Sequence, residues 1–207
     1  MLFRSVFCAN NILPQLDQHT PANYCKIYAH AISILKETGN SNLLIDHHNS
    51  FHQAEFYEKL ETAHDRLGLC LFHFFRLSLA CFFSNWDIAR QESNAVQPYL
   101  VAALGLMIIP LIYFYDSLAV LADLKLEQSD FESQWQRIES NQIILQTEWV
   151  AYAPMNYQHK FDLIEAEKYR VLKEYLKAID AYDRAIAGAK DTGFLQRSEE
   201  HTSELQS

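Results

Sequence analysis

The stretch Asp46-His47-His48-Asn49-Ser50-Phe51-His52 gathers the residue types that bind a divalent metal. On a helix, the four-residue spacing of His48 and His52 would place both imidazoles on one face, and Asp46 would add a carboxylate nearby. A small helical metal-dependent hydrolase would need such a cluster. Three features argue against it. The order HExxH is absent, no third ligand is fixed by spacing, and Asn49-Ser50 reads as a helix start between the two histidines. The expectation is loop and cap histidines, with no metal and no cofactor.

Other chemistry is as weakly specified. His64-Asp65-Arg66 superficially resembles a kinase catalytic loop, but the order differs and no Asp-Phe-Gly follows, so it reads as a polar turn between helices. The chain has no GxxxxGK[ST] loop to cradle phosphates and no GxSxG elbow for a serine nucleophile. His73 and His159 lack a base-orienting sequence context and read as packed histidines. Asp162, Glu165 and Glu167, near Tyr169, read as a solvated helix face. Trp86, Trp135 and Trp149 recur at helical spacing and read as core rather than as ligand-stacking platforms.

The elements that would carry these residues are helices. Thr20-Pro21 can open one, and Tyr24, Ile27, Tyr28, Ala31, Ile34 and Leu35 follow at three- and four-residue steps up to Gly39. Phe56, Leu60, Ala63 and Leu67 predict a second. Leu67–Phe83 is apolar nearly all round, as in a buried helix, and a helix from Trp86 to about Gln97 should pair back against it. Tyr99–Tyr115 carries no charge and approaches the length of a membrane span. Gly105 and Pro110 interrupt it, however, so it reads as a buried loop followed by a helix rather than an insertion. Ser129-Asp130-Phe131-Glu132 has capping-box spacing ahead of Phe131, Trp135, Ile138, Gln142, Leu145 and Trp149. Two more helices fit Met155–Lys173 and Glu174–Lys190. No useful length alternates with period two, so the fold class is all-α with antiparallel neighbours.

The last helices carry a repeat-like pattern. In EYLKAIDAYDRAIAGAK, Tyr175, Ala178, Tyr182 and Ala185 resemble the second helix of a tetratricopeptide (TPR) repeat, in which alanines permit close helix approach. Lys173 stands where that motif usually has a small residue, and Trp86-Asp-Ile-Ala89 echoes the same start. Antiparallel pairs stacked as a TPR-like α-solenoid are therefore expected, with Ala89, Tyr175, Ala178, Tyr182 and Ala185 as packing residues. The strings IPLIYFYDSLAVLA and YAPMNYQHKFDLIEAEKYRVL, followed by AIDAYDRAIAGAKDTGF, resemble one family. It comprises large, mostly cyanobacterial signalling kinases with a serine/threonine kinase domain, an ATPase module, a helical repeat region, and sensor and histidine-kinase domains. The resemblance is to the helical region. It implies a non-catalytic segment contacting a protein partner or neighbouring domains, within a parent that binds ATP and phosphorylates proteins.

Composition bounds the possible partners, and its acidic balance reads as a solubility feature. The 207 residues carry 17 basic and 26 acidic side chains, a formal charge of −9, which disfavours a general nucleic-acid binder. Cys8, Cys25, Cys70 and Cys81 have no CxxC spacing and lie in apolar stretches, as buried thiols of a reducing cytoplasm do. Both ends read differently from the rest. One codon choice for RSEEHTSELQS (residues 197–207) gives a widely used sequencing-library adapter. The reverse complement of its first five codons gives Val-Leu-Phe-Arg-Ser, which becomes residues 1–5 when the GTG is called as a start. Residues 1–5 and 197–207 are therefore expected to be translated adapter, the tail disordered, and 6–196 to be an incomplete helical repeat region.

Overall fold

The structure, a computed structural model, describes residues 19–36 and 52–193. Among these residues the regular elements are eight α-helices with short 3₁₀ and π additions, and no strand occurs. They form two compact units, divided after Ile112.

The first unit contains α1 (His19–Lys36), α2 (Gln53–Thr62), α3 (Arg66–Phe82) and α4 (Trp86–Val96). α1 buries Ala22, Ile27, Ala31 and Ile34, as its periodicity predicts, while Leu35 is exposed. α2 buries Phe56 and Leu60 but stops at Thr62, short of the expected run to Leu67. The break comes at His64, which takes a left-handed φ of 51°. α3 is the centre of the unit. It meets α1 through Tyr28 and Phe75, whose ring centroids lie 4.8 Å apart, and α2 through Phe56 and Phe72. Each fully buried Leu here, such as Leu60 or Leu77, contributes about 2 kcal/mol relative to an exposed one.

The uncharged stretch that follows differs from expectation. Gln97–Ala103 is a 3₁₀ turn, and Ala103 alone within it is buried. Val101, Leu104 and Met107 are largely exposed, so the loop is not buried. α5 (Ile109–Leu121) then starts with Pro110 in its first turn, where the missing N–H costs nothing. No described helix is long and apolar enough to cross a membrane.

The second unit takes in α5 from Tyr113, then α6 (Phe131–Ile144), a π-helical turn (Leu145–Val150), α7 (Pro154–Val171) and α8 (Tyr175–Asp191). Its core includes Phe114, Leu121, Ile138, Leu145, Ile164 and Val171. The capping box does not form: Asp130 occupies the N-cap of α6 and makes no side-chain cap bond. The π turn also changes the inward register. Leu145 and Val150 are buried, five residues apart, so Trp149 is only half-buried, edge-on to Tyr157 at 5.5 Å. α7 and α8 run antiparallel, with Glu167 beside Tyr182 and Asp162 beside Arg184. Ala178, Ala181, Ala185 and Ala189 form the buried face of α8. A Cβ on Gly188 would come within 3.2 Å of the His159 Cβ, so the helices are at close-approach distance.

One turn recurs at three helix junctions. His64, Ser84 and Lys173 all take positive φ, at 51°, 54° and 61°. At each, the left-handed residue donates its N–H to the carbonyl three residues back: His64 to Glu61, Ser84 to Cys81, Lys173 to Arg170. The following residue donates five residues back: Asp65 to Leu60, Asn85 to Ala80, Glu174 to Tyr169. This is a Schellman termination run directly into the next N-cap. α8 ends with the beginning of the same pattern, Gly193 donating to Lys190 at φ 79°.

Candidate functional site

The residues first suspected of chemistry are not assembled into a site. Asp46 and His48 lie outside the described residues. His52 is exposed at the N-cap of α2 and makes no side-chain cap bond. No group of three His, Cys, Asp or Glu side chains that could hold a metal occurs among the described residues. His64-Asp65-Arg66 is a turn, as expected. Asp65 Oδ1 caps α3 by accepting from Gly68 N at 2.8 Å and also accepts from the Tyr24 hydroxyl at 3.0 Å. Burial, then the bond to Asp65, pushes the Tyr24 phenol up to about 12.

Of the proposed packing residues, Ala89, Ala178 and Ala185 are buried and Tyr182 is half-buried, its hydroxyl donating to Glu167. Tyr175 does not pack: at 62% exposure it opens α8 just beyond the last turn of α7. Leu176 and Ile179 are also exposed.

Each unit contains one buried polar network of its own. In the first unit, Glu92 of α4 accepts from Arg76 Nε at 2.6 Å and from His73 Nδ1 at 2.7 Å, both on α3. Burial raises the Glu92 carboxyl, but the His73 bond and the Arg76 charge outweigh it and leave the group below its ordinary value. His73 is sandwiched by Tyr99, stacked at 5.7 Å, and Tyr57, edge-on at 5.5 Å, and its Nε2 has no hydrogen-bond partner. Arg76 also donates to Gln53 Oε1, which ties α2 to α3 and α4. A carboxylate-oriented imidazole is the geometry of a general base, but its enclosure by Tyr57, Phe72 and Tyr99 makes it a packing element here.

In the second unit, Asp116 is 1% exposed on α5. It accepts from Arg137 Nε at 3.0 Å and from Nη2, both on α6, and from Asn141 Nδ2 at 2.7 Å. Asn141 also donates to Ser117 Oγ, which in turn donates to the Tyr113 carbonyl. The string Phe114-Tyr115-Asp116-Ser117 thus has a structural reason: Phe114 fills the core, and Asp116 and Ser117 fasten α6.

Sequence reasoning missed Glu92 as the shared partner of His73 and Arg76, because helix-to-helix pairing leaves no trace in local spacing. It also misjudged Asp162, which is buried rather than solvated. Burial raises its carboxyl, against the opposing effects of Gln158 and Arg184. Of the four cysteines, Cys70 and Cys81 are buried, Cys25 is only half-buried and Cys8 lies outside the described residues; burial pushes the Cys70 thiol up to about 11. No protein family, curated protein or solved structure matches the chain.

Proposed function

We propose that the chain is a non-catalytic, TPR-like helical repeat segment that contacts a protein partner or a neighbouring domain within a multidomain signalling kinase. The observation that carries this reading is the recurring junction at His64, Ser84 and Lys173, begun again at Gly193. It gives three helix-to-helix links the same backbone geometry, which supports a stack built from similar helix pairs. Ala89 and Ala178 support it further. Each lies four residues after its N-cap, and each is buried.

The working environment would be the cytoplasm, in keeping with the buried Cys70 thiol. ATP binding and phosphoryl transfer would belong to other domains of the parent, and nucleic acid and the membrane interior would not be partners. The test begins by recovering the genomic reading frame across both ends of residues 6–196. The encoded kinase, ATPase and sensor domains are then expressed separately and co-purified with this chain. Binding to at least one domain is expected. Failure to retain any of them, or ATP hydrolysis by the chain itself, would overturn the proposal.

A further inference from the structure

The exposed apolar loop of the first unit is anchored at both feet. Tyr99 and Ile108 pack against the core that contains Leu69 and Phe72, and Ala103, between them in sequence, is fully buried. Arg66 donates to the Pro98 carbonyl at 2.6 Å and lies over the Tyr99 ring, which also stacks on His73. From these anchors the chain displays Val101, Leu104 and Met107 at 74%, 67% and 67% exposure, with Leu106 at 40%. Gly105 makes the turn at φ 85°, and a Cβ there would meet no atom within 4 Å. The tip is therefore held outward by its own base.

Its chemistry selects what it can meet. No charged residue stands between Glu92 and Asp116, so the tip offers no ion pair to a protein. Four apolar side chains also fall short of the about 800 Å² that each partner gives to a stable protein interface. The backbone is already paired within the loop: Leu106 N–H donates to the Ala103 carbonyl at 3.0 Å, and Ile109 N–H to Leu106 at 3.2 Å. Contact with hydrocarbon demands such pairing. Arg66 and Tyr99 at the foot have an apolar body and a polar end, as residues at headgroup level do. The formal charge of −9 opposes an anionic bilayer and leaves a neutral one.

We propose that Val101, Leu104, Leu106 and Met107 dock the first unit on a zwitterionic lipid surface, entering only to the headgroup–acyl boundary. The loop acts as a shallow apolar wedge and crosses nothing. This contact is independent of the repeat reading, since it leaves the remaining helix surfaces free for a protein partner.

The full chain is mixed with phosphatidylcholine vesicles at about 0.15 M salt and floated on a density gradient. Wild type should rise with the vesicles. Leu104→Asp should lower its partition coefficient by about tenfold or more, because burial of one leucine is lost. Leu104→Trp should raise it several-fold, as indole favours the interface. Leu176→Asp removes an even more exposed leucine from α8 and should bind as wild type does. Absence of wild type from the floated fraction, or flotation only with anionic lipid, would overturn the proposal. So would equal losses in Leu104→Asp and Leu176→Asp, or no gain in Leu104→Trp. Self-association of the wild type that Leu104→Asp abolishes would instead assign the tip to a second copy.

Discussion

At the scale of single residues, Glu92 and Asp162 are two buried carboxylates with opposite consequences. The folded value of Glu92 is held down by His73 and Arg76 against its burial. It therefore contributes stability above the ordinary value of 4.5, and that contribution is lost as pH falls through the folded value. Glu92→Gln should cost about 2 kcal/mol at neutral pH, since it leaves a part-buried Arg76 without its anion, and should flatten the acid limb of stability in urea titrations. Asp162 has the reverse sign. Its raised value means that the ionised form opposes folding, so Asp162→Asn should leave stability unchanged or raise it by up to about 1 kcal/mol in the same assay. Gly68 is a third case. A Cβ there would lie 2.7 Å from Asp65 Oδ2 and 2.8 Å from Leu60 Cδ2, which would disturb the cap and the α2 contact together. Gly68→Ala should therefore lower the urea midpoint by an amount equivalent to about 1–2 kcal/mol, although alanine is the better helix former.

At the scale of elements, the junctions invite a direct measurement. A left-handed conformation costs a non-glycine residue about 1–2 kcal/mol, partly offset in glycine by a more flexible unfolded chain. Lys173→Gly and Ser84→Gly should each stabilise the chain by about 0.5–1 kcal/mol, read as a rise in thermal midpoint, and Gly193→Ala should do the opposite. Most helices were legible in the sequence because their apolar periodicity is strong: α1, α3, α4, α7 and α8 sit within a few residues of expectation. The end of α2 gave two conflicting signals: His64-Asp65-Arg66 reads as a polar turn, and the backbone does break at His64, whereas Ala63 and Leu67 keep the apolar period across it. The π turn escaped for a related reason. A single extra residue inside α6 moves the inward position from Trp149 to Val150 without any glycine or proline to announce it. The Glu92 and Asp116 networks were invisible because they join residues 16 to 25 positions apart through tertiary packing.

At the scale of the whole molecule, a formal charge of −9 opposes phosphate binding. Duplex DNA should show no mobility shift with the chain at about 0.15 M salt, and a shift that disappears as salt rises would contradict that expectation. The sequence could reveal helical class and charge because both are sums over many residues. It could not show that Leu176 and Ile179 of α8, although apolar, are exposed. The recurring junction has one more consequence. An imidazole, a hydroxymethyl group and an alkylammonium occupy the same bend, which the same two main-chain bonds close in each case. The bend is thus a mould rather than a signature, and related chains can lose every shared letter there while their helices keep the same path.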